Sequence, residues 1–134
     1  MLNGGCFCGA IRYAGSGPLT GQSLCHCHGC QRTTGAPCVA WFTVPRAEFQ
    51  LLCGVPTVFR SSDHGSRAFC AACGTQLTFA DDALLDEIDI TTCSLDDPAL
   101  APPRRHLYTD SQVPWLTLSD GLSVFAGSSA GRSA

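Results

Sequence analysis

Seven of the ten cysteines in this 134-residue chain stand in three tight groups: Cys6-Phe7-Cys8, Cys25-His26-Cys27-His28-Gly29-Cys30 and Cys70-Ala71-Ala72-Cys73-Gly74. Thiols grouped in this way suit a tetrahedral, borderline-soft cation such as zinc. In an extended strand, residues two apart point to one face, so Cys-x-Cys presents two sulfurs side by side. A Cys-x-x-Cys turn also aims two sulfurs at one point. A closed structural zinc takes four protein ligands, whereas a catalytic zinc usually takes three and keeps one position open. Seven thiols therefore divide as four plus three, and the odd count is the functional clue.

The outer groups make the four. Cys6 and Cys8 are expected on the first strand, and Cys70 and Cys73 flank a knuckle whose Gly74 permits a tight backbone after the second ligand. A site on these four closes a loop of roughly sixty residues, where constraining the unfolded chain helps most, so its role is structural. The middle group makes the three. Cys25, Cys27 and Cys30 come from one strand-to-turn segment, and a zinc held there keeps a position for an exogenous thiol, whose pKa it lowers beside an electrophile. The competing assignment is a second closed site completed by His26, His28, Cys38, Cys53 or Cys93. His26 alternates away from its flanking cysteines, while His28 lies inside the turn and stays open as a ligand. Cys38, Cys53 and Cys93 fall in apolar or strand-like runs that suit buried, inert thiols.

These groups need a scaffold, and the remaining residues describe one of short strands and turns. Glycine and proline punctuate runs rich in Val, Ile, Phe, Thr and Leu, which is the pattern of an all-β chain. Strands are expected over Ala10–Tyr13, Gly21–Cys25, Val39–Val44, Phe49–Leu52, Thr57–Arg60, Arg67–Cys70, Gln76–Phe79 and Glu87–Thr91. Single helical turns are expected over Gly29–Thr34 and Asp96–Leu100, the second with a capping aspartate and Pro98 in its first turn. Trp41 and Phe42 read as core, and 127–134 as a frayed tail. The length suits one domain spanning 1–134.

Charge narrows the partners. A net charge of −3, a pI near 5.7 and eight basic residues, all arginine, leave no basic footprint for nucleic acid. No stretch is long and apolar enough to span a bilayer, and Met1–Tyr13 lacks the pattern of a signal peptide, so a cytoplasmic protein is expected. Knuckle spacing argues in the same direction, against a secreted disulfide framework.

The ordered motifs Gly5-Cys6-Phe7-Cys8-Gly9, Cys25-His26-Cys27-His28-Gly29-Cys30-Gln31-Arg32 with Gly35, and Phe69-Cys70-Ala71-Ala72-Cys73-Gly74 resemble the glutathione-dependent formaldehyde-activating family, which includes centromere protein V. His106, Pro114-Trp115 and Ser119-Asp120-Gly121-Leu122 are similar to that family's closing segment, so the resemblance spans about residues 4–126. It implies an Mss4-like all-β fold of short twisted antiparallel sheets with two zincs per chain. The structural zinc would sit on Cys6, Cys8, Cys70 and Cys73, and the catalytic zinc on Cys25, Cys27 and Cys30. The implied activity joins formaldehyde, or a related small aldehyde, to glutathione or a similar small thiol. The product is S-hydroxymethylglutathione, and the reaction is that of a carbon-sulfur lyase written in reverse.

Further residues suit that chemistry. Arg32 could pair with a glutathione carboxylate, since a guanidinium fork matches a carboxylate. Arg104 and Arg105 form a basic patch beside His106, which could bind the peptide-like ligand or carry a proton near neutral pH. Trp115 could cover the site or merely the sheet, and Asp63-His64 reads as a turn. Two other classes compete: a zinc-stabilised binding module without catalysis, whose second zinc would be closed, and a redox enzyme of the methionine sulfoxide reductase B kind. The latter requires a reactive late cysteine, for which Cys93 is the sole candidate. The sequence does not decide between a monomer and a homodimer whose second copy completes the pocket.

Overall fold

The structure is a computed structural model that describes residues 1–128. Its strands are short because a turn former interrupts nearly every apolar run. They are β1 (Leu2–Gly5), β2 (Arg12–Gly15), β3 (Thr20–Cys25), β4 (Val39–Pro45), β5 (Phe49–Cys53), β6 (Thr57–Arg60), β7 (Gly65–Phe69), β8 (Gln76–Asp81), β9 (Glu87–Thr91), β10 (Arg105–Leu107) and β11 (Ser123–Val124). One α-helix, α1 (His28–Thr34), follows β3 and ends at Gly35, whose left-handed backbone (φ 71°) sends its amide back to the Gln31 carbonyl.

Eight strands form one sheet in the order β11-β10-β3-β4-β9-β8-β7-β6, and β1-β2-β5 form a second. All pairings are antiparallel except that β10 runs parallel to both β3 and β11. The expected all-β, Mss4-like architecture of small twisted sheets is the one observed. Side-chain alternation then assigns the faces. Phe42 and Val44 of β4 and Ile88 and Ile90 of β9 pack with Leu2, Ile11 and Tyr13 to form the main core between the sheets. Their odd-numbered neighbours are left for the opposite face.

Some expectations are corrected. Cys6 and Cys8 lie in the turn between β1 and β2, not on a strand. The first strand begins earlier than expected, at Leu2, and its glycines hid it from a propensity reading. The second helical turn is a single 3-10 turn over Pro98–Leu100, capped by the side chain of Asp97, which accepts from the Ala99 amide. β10 and β11 follow or adjoin proline- and glycine-rich stretches, and their pairing comes from tertiary docking. Of the expected frayed tail, Gly127 is held by a 3.0 Å bond from the Tyr108 amide to its carbonyl, while 129–134 lie outside the described residues. Among the described residues, no helix is long and apolar enough to cross a membrane.

Candidate functional site

Two turns bring the outer cysteines together. The β1–β2 turn closes with Gly9 N–H donating to the Cys6 carbonyl at 3.1 Å, and the β7–β8 turn with Gly74 N–H donating to the Cys70 carbonyl at 2.7 Å. Gly9 and Gly74 each follow the second cysteine of their pair and share a left-handed backbone, φ 82° and 83°, that a side chain would strain. The sulfurs of Cys6, Cys8, Cys70 and Cys73 all fall within 4.8 Å of one another. The Cys6–Cys8 and Cys8–Cys70 separations are 3.6 and 3.8 Å. A zinc–sulfur tetrahedron with bonds of ~2.3 Å has edges of about 3.8 Å, so this donor set fits zinc. Backbone and hydroxyl donors already face two of the sulfurs: Ile11 N–H lies 3.2 Å from Cys6, and Thr75 Oγ1 lies 3.3 Å from Cys73. The Thr75 contacts hold the Cys73 thiol down at about 5.

The second cluster is built locally. Cys25 ends β3, Cys27 caps α1 by accepting from the Cys30 amide at 3.3 Å, and Cys30 sits one turn into the helix. Their three sulfurs also lie within 4.8 Å of one another, and all three residues are buried. Thiols this close perturb one another: Cys27 is drawn down by the Cys25 and Cys30 thiols, and Cys25 is pushed far up by the same neighbours. A divalent cation resolves this by displacing the protons, so the residues fit a metal with three protein ligands.

His26 points away from the sulfurs, as alternation requires, and is fully buried. Its Nε2 lies 2.9 Å from His106 Nδ1, and His106 Nε2 lies 2.8 Å from Asp120 Oδ2. The Asp120 carboxylate can only accept, so His106 donates to it from Nε2, and the bond between His106 Nδ1 and His26 Nε2 continues the chain inward. Asp120 is held below the usual carboxylate range by the Leu122 amide and by His106. Gln31 adds a second tie, with Nε2 donating to the carbonyls of His26 at 2.8 Å and Ser111 at 3.0 Å. The segment after β10 is thereby strapped to the back of the three-cysteine loop.

In front of that loop lies a cavity of about 90 Å³ into which Cys25, Cys27 and Cys30 all face. The strand residues lining it are odd-numbered: Gly21, Ser23 and Cys25 on β3, Trp41 and Thr43 on β4, Arg67 on β7, Phe79 and Asp81 on β8, Glu87 and Asp89 on β9, Arg105 and Leu107 on β10. They form one face of the eight-stranded sheet, opposite the core. Trp41 and Phe79 meet edge to face, with centroids 6.5 Å apart. Thr43 Oγ1 donates to Asp89 at 2.6 Å. Tyr108 completes the wall from a left-handed backbone (φ 58°), the one non-glycine residue so placed among the described residues.

Arg67, which the sequence did not single out, is the basic group nearest the chemistry. It is 6% exposed, its Nη1 and Nη2 lie 3.8 and 3.9 Å from Cys30 Sγ, and its guanidinium carbon sits 5.1 Å above the centre of the Phe79 ring. The signal for it was weak: an arginine inside the short run Gly65–Phe69, at the odd register.

The other sequence candidates disperse. Arg32 is exposed in the last turn of α1 and does not line the cavity. His106 lies behind the cysteine loop, 1% exposed, with both ring nitrogens engaged. His28 is exposed and outside the three-cysteine cluster, as is Arg104, whereas Arg105 lines the cavity. Trp115 is 72% exposed and covers nothing there. Cys53 and Cys93 are exposed, contrary to the expectation of burial, because β5 is an edge strand and Cys93 lies on a 3-10 turn. Cys38 is half-buried, and that burial raises its thiol pKa.

Comparison with known proteins follows this geometry. The family model described as glutathione-dependent formaldehyde-activating enzyme matches residues 1–111. A crystal structure of a Rhodobacter sphaeroides protein, a structural genomics target, superposes with a TM-score of 0.60 at 19% identity, over 70% of this chain and 87% of that one. At that identity the likeness speaks for the fold.

Proposed function

The chain belongs to the glutathione-dependent formaldehyde-activating family, and we propose that it joins a small aldehyde such as formaldehyde to the thiol of glutathione or a close analogue. The observation that carries this reading is the three-cysteine cluster facing a cavity. Among the described residues no fourth Cys, His, Asp or Glu joins it, whereas the outer cluster is complete at four.

Zinc held by Cys25, Cys27 and Cys30 would supply one open position at which a thiol ionises near neutral pH. The rest of the work falls to the chain. Trp41, Phe79, Leu84 and Leu107 give the cavity an apolar lining that limits water around a nucleophilic sulfur. Arg105 lies in the same wall and is our assignment for a glutathione carboxylate, in place of the solvent-facing Arg32. Asp81, Glu87 and Asp89 line the cavity and suit the ammonium group of the same ligand. In the reaction the sulfur–carbon bond forms, the carbonyl π pair moves to oxygen, and that oxygen takes up a proton. The protein's contribution is to hold thiolate and aldehyde together, since the adduct also forms in free solution.

Elemental analysis should find two zincs per chain, one of them removed by mild chelation. Exchange-sensitive NMR of glutathione with formaldehyde should show exchange above the uncatalysed rate, lost with the labile metal and in Cys27→Ser. Acceleration that survives Cys27→Ser sinks the mechanism. Two tightly held metals with no acceleration favour a binding module instead.

A further inference from the structure

The two clusters differ in what surrounds their sulfurs. In the four-cysteine cluster an amide faces Cys6 and a hydroxyl faces Cys73; in the three-cysteine cluster an amide faces Cys27, but Cys30 is faced by a buried guanidinium. Charge counting gives that difference a meaning. Three thiolates around a divalent zinc leave one net negative charge, and a thiolate arriving as fourth ligand would make it two. With Arg67 beside Cys30 the centre starts at zero, and the incoming thiolate brings it only to minus one.

The position of Arg67 is built rather than incidental. Phe79 lies under its guanidinium, which favours a cation over an aromatic face. Gly29 gives it room: a Cβ there would lie 2.9 Å from Arg67 Nη2. Arg67 Nε, buried in the same wall, has no hydrogen-bond partner among the described residues, so the side chain is not held there by a conventional polar network. It is held by the ring, the sulfur and the absence of a side chain at Gly29.

We infer that Arg67, given space by Gly29 and seated on Phe79, is a positioning and charge-balancing residue that makes the three-cysteine centre receptive to an anionic thiolate as its fourth ligand. The inference rests on the reading of that centre as a thiol site. A thiol bound there would give up its proton to solvent, and its sulfur would lie as a thiolate under the field of the guanidinium. Neutral ligands gain nothing from Arg67, so its removal should change selectivity rather than metal retention.

The test uses the full chain loaded with cobalt in place of zinc, with glutathione and imidazole as anionic and neutral probes and the cobalt ligand-field and sulfur-to-cobalt bands as the readout. Wild type is expected to bind both. Arg67→Met should keep both metals and its imidazole affinity while binding glutathione roughly tenfold or more weakly. Gly29→Ala keeps the charge in the chain but displaces the guanidinium, so it should show the same selective loss to a smaller degree in a helix that alanine favours. It also keeps the inference testable should Arg67→Met fail to fold. Equal glutathione affinity in wild type and Gly29→Ala overturns the inference, as does a parallel loss of imidazole binding, or loss of the second metal, in Arg67→Met. Failure of wild type itself to bind glutathione overturns the thiol-site reading instead.

Discussion

At the scale of single residues, the cavity wall contains one backbone that its side chain makes costly. Tyr108 occupies the left-handed region at φ 58°, where a residue with a Cβ is disfavoured by about 1–2 kcal/mol and glycine is not. Its side chain packs against the cluster formed by Cys25, Cys27, Cys30 and Trp41. Tyr108→Gly should therefore leave the melting temperature close to that of wild type, because relief of backbone strain offsets lost packing. Glutathione–formaldehyde exchange should fall by up to about a hundredfold as the wall opens. A large fall in stability with exchange intact would show the tyrosine to be there for packing alone. Residues of this kind mark the limit of what the sequence shows. Cys25, Cys27 and Cys30 declare themselves by spacing, because metal ligation is local along the chain. Arg67 and Tyr108 reach the site from β7 and from the segment after β10, and nothing in their own neighbourhoods announces it.

At the scale of elements, the alternation of one sheet separates stability from function. Phe42 on β4 is fully buried in the core between the sheets, and Phe79 on β8 faces the cavity and supports Arg67. Phe42→Ala should cost about 3–5 kcal/mol in denaturant unfolding. Phe79→Leu, close in volume and half-buried, should cost less than about 1.5 kcal/mol yet weaken thiol binding as Arg67 loses its seat. Equal losses of stability in the two variants would mean that the faces are not separated in this way. Short turn-bounded runs rich in strand formers were readable at Val39–Val44 and Glu87–Thr91, so these strands were located to within a residue. What could not be read was which face met which, since strand order sets β9 beside β4, and β10 beside β3, across long stretches of chain. The first cysteine pair shows the converse. Cys-x-Cys suits a strand, but with Gly9 following it forms a turn, and the hydrogen bond from Gly9 to Cys6 closes it.

At the scale of the whole molecule, the four-cysteine cluster is a suture. Cys6 and Cys8 belong to the turn of the small sheet, Cys70 and Cys73 to a turn of the large one, and the four sulfurs meet between them. The Arg12–Asp96 pair, with Nη1–Oδ1 at 2.9 Å, ties β2 of the small sheet to the segment after β9 at the surface. The three-cysteine cluster, by contrast, closes only a few residues of one segment. Losing a metal there opens no long loop, whereas losing it at the suture restores the entropy of a loop of roughly sixty residues. Graded chelation followed by a chromophoric zinc indicator and circular dichroism should thus release one zinc with the spectrum unchanged and the second together with unfolding. Cys70→Ser should mimic the second step and Cys27→Ser only the first. Acid should also act on the surface pair. Arg12 holds the Asp96 carboxyl below its ordinary 3.8, so the folded state binds this proton less readily than the unfolded one. That contribution is fully present above pH 3.8 and is lost as pH falls through the depressed folded value. Asp96→Asn should flatten this part of the acid limb in a thermal-melt series while leaving stability above neutrality little changed, because an exposed pair is largely screened by solvent. An unchanged acid limb would place acid sensitivity wholly at the thiolates, whose protonation releases the metal.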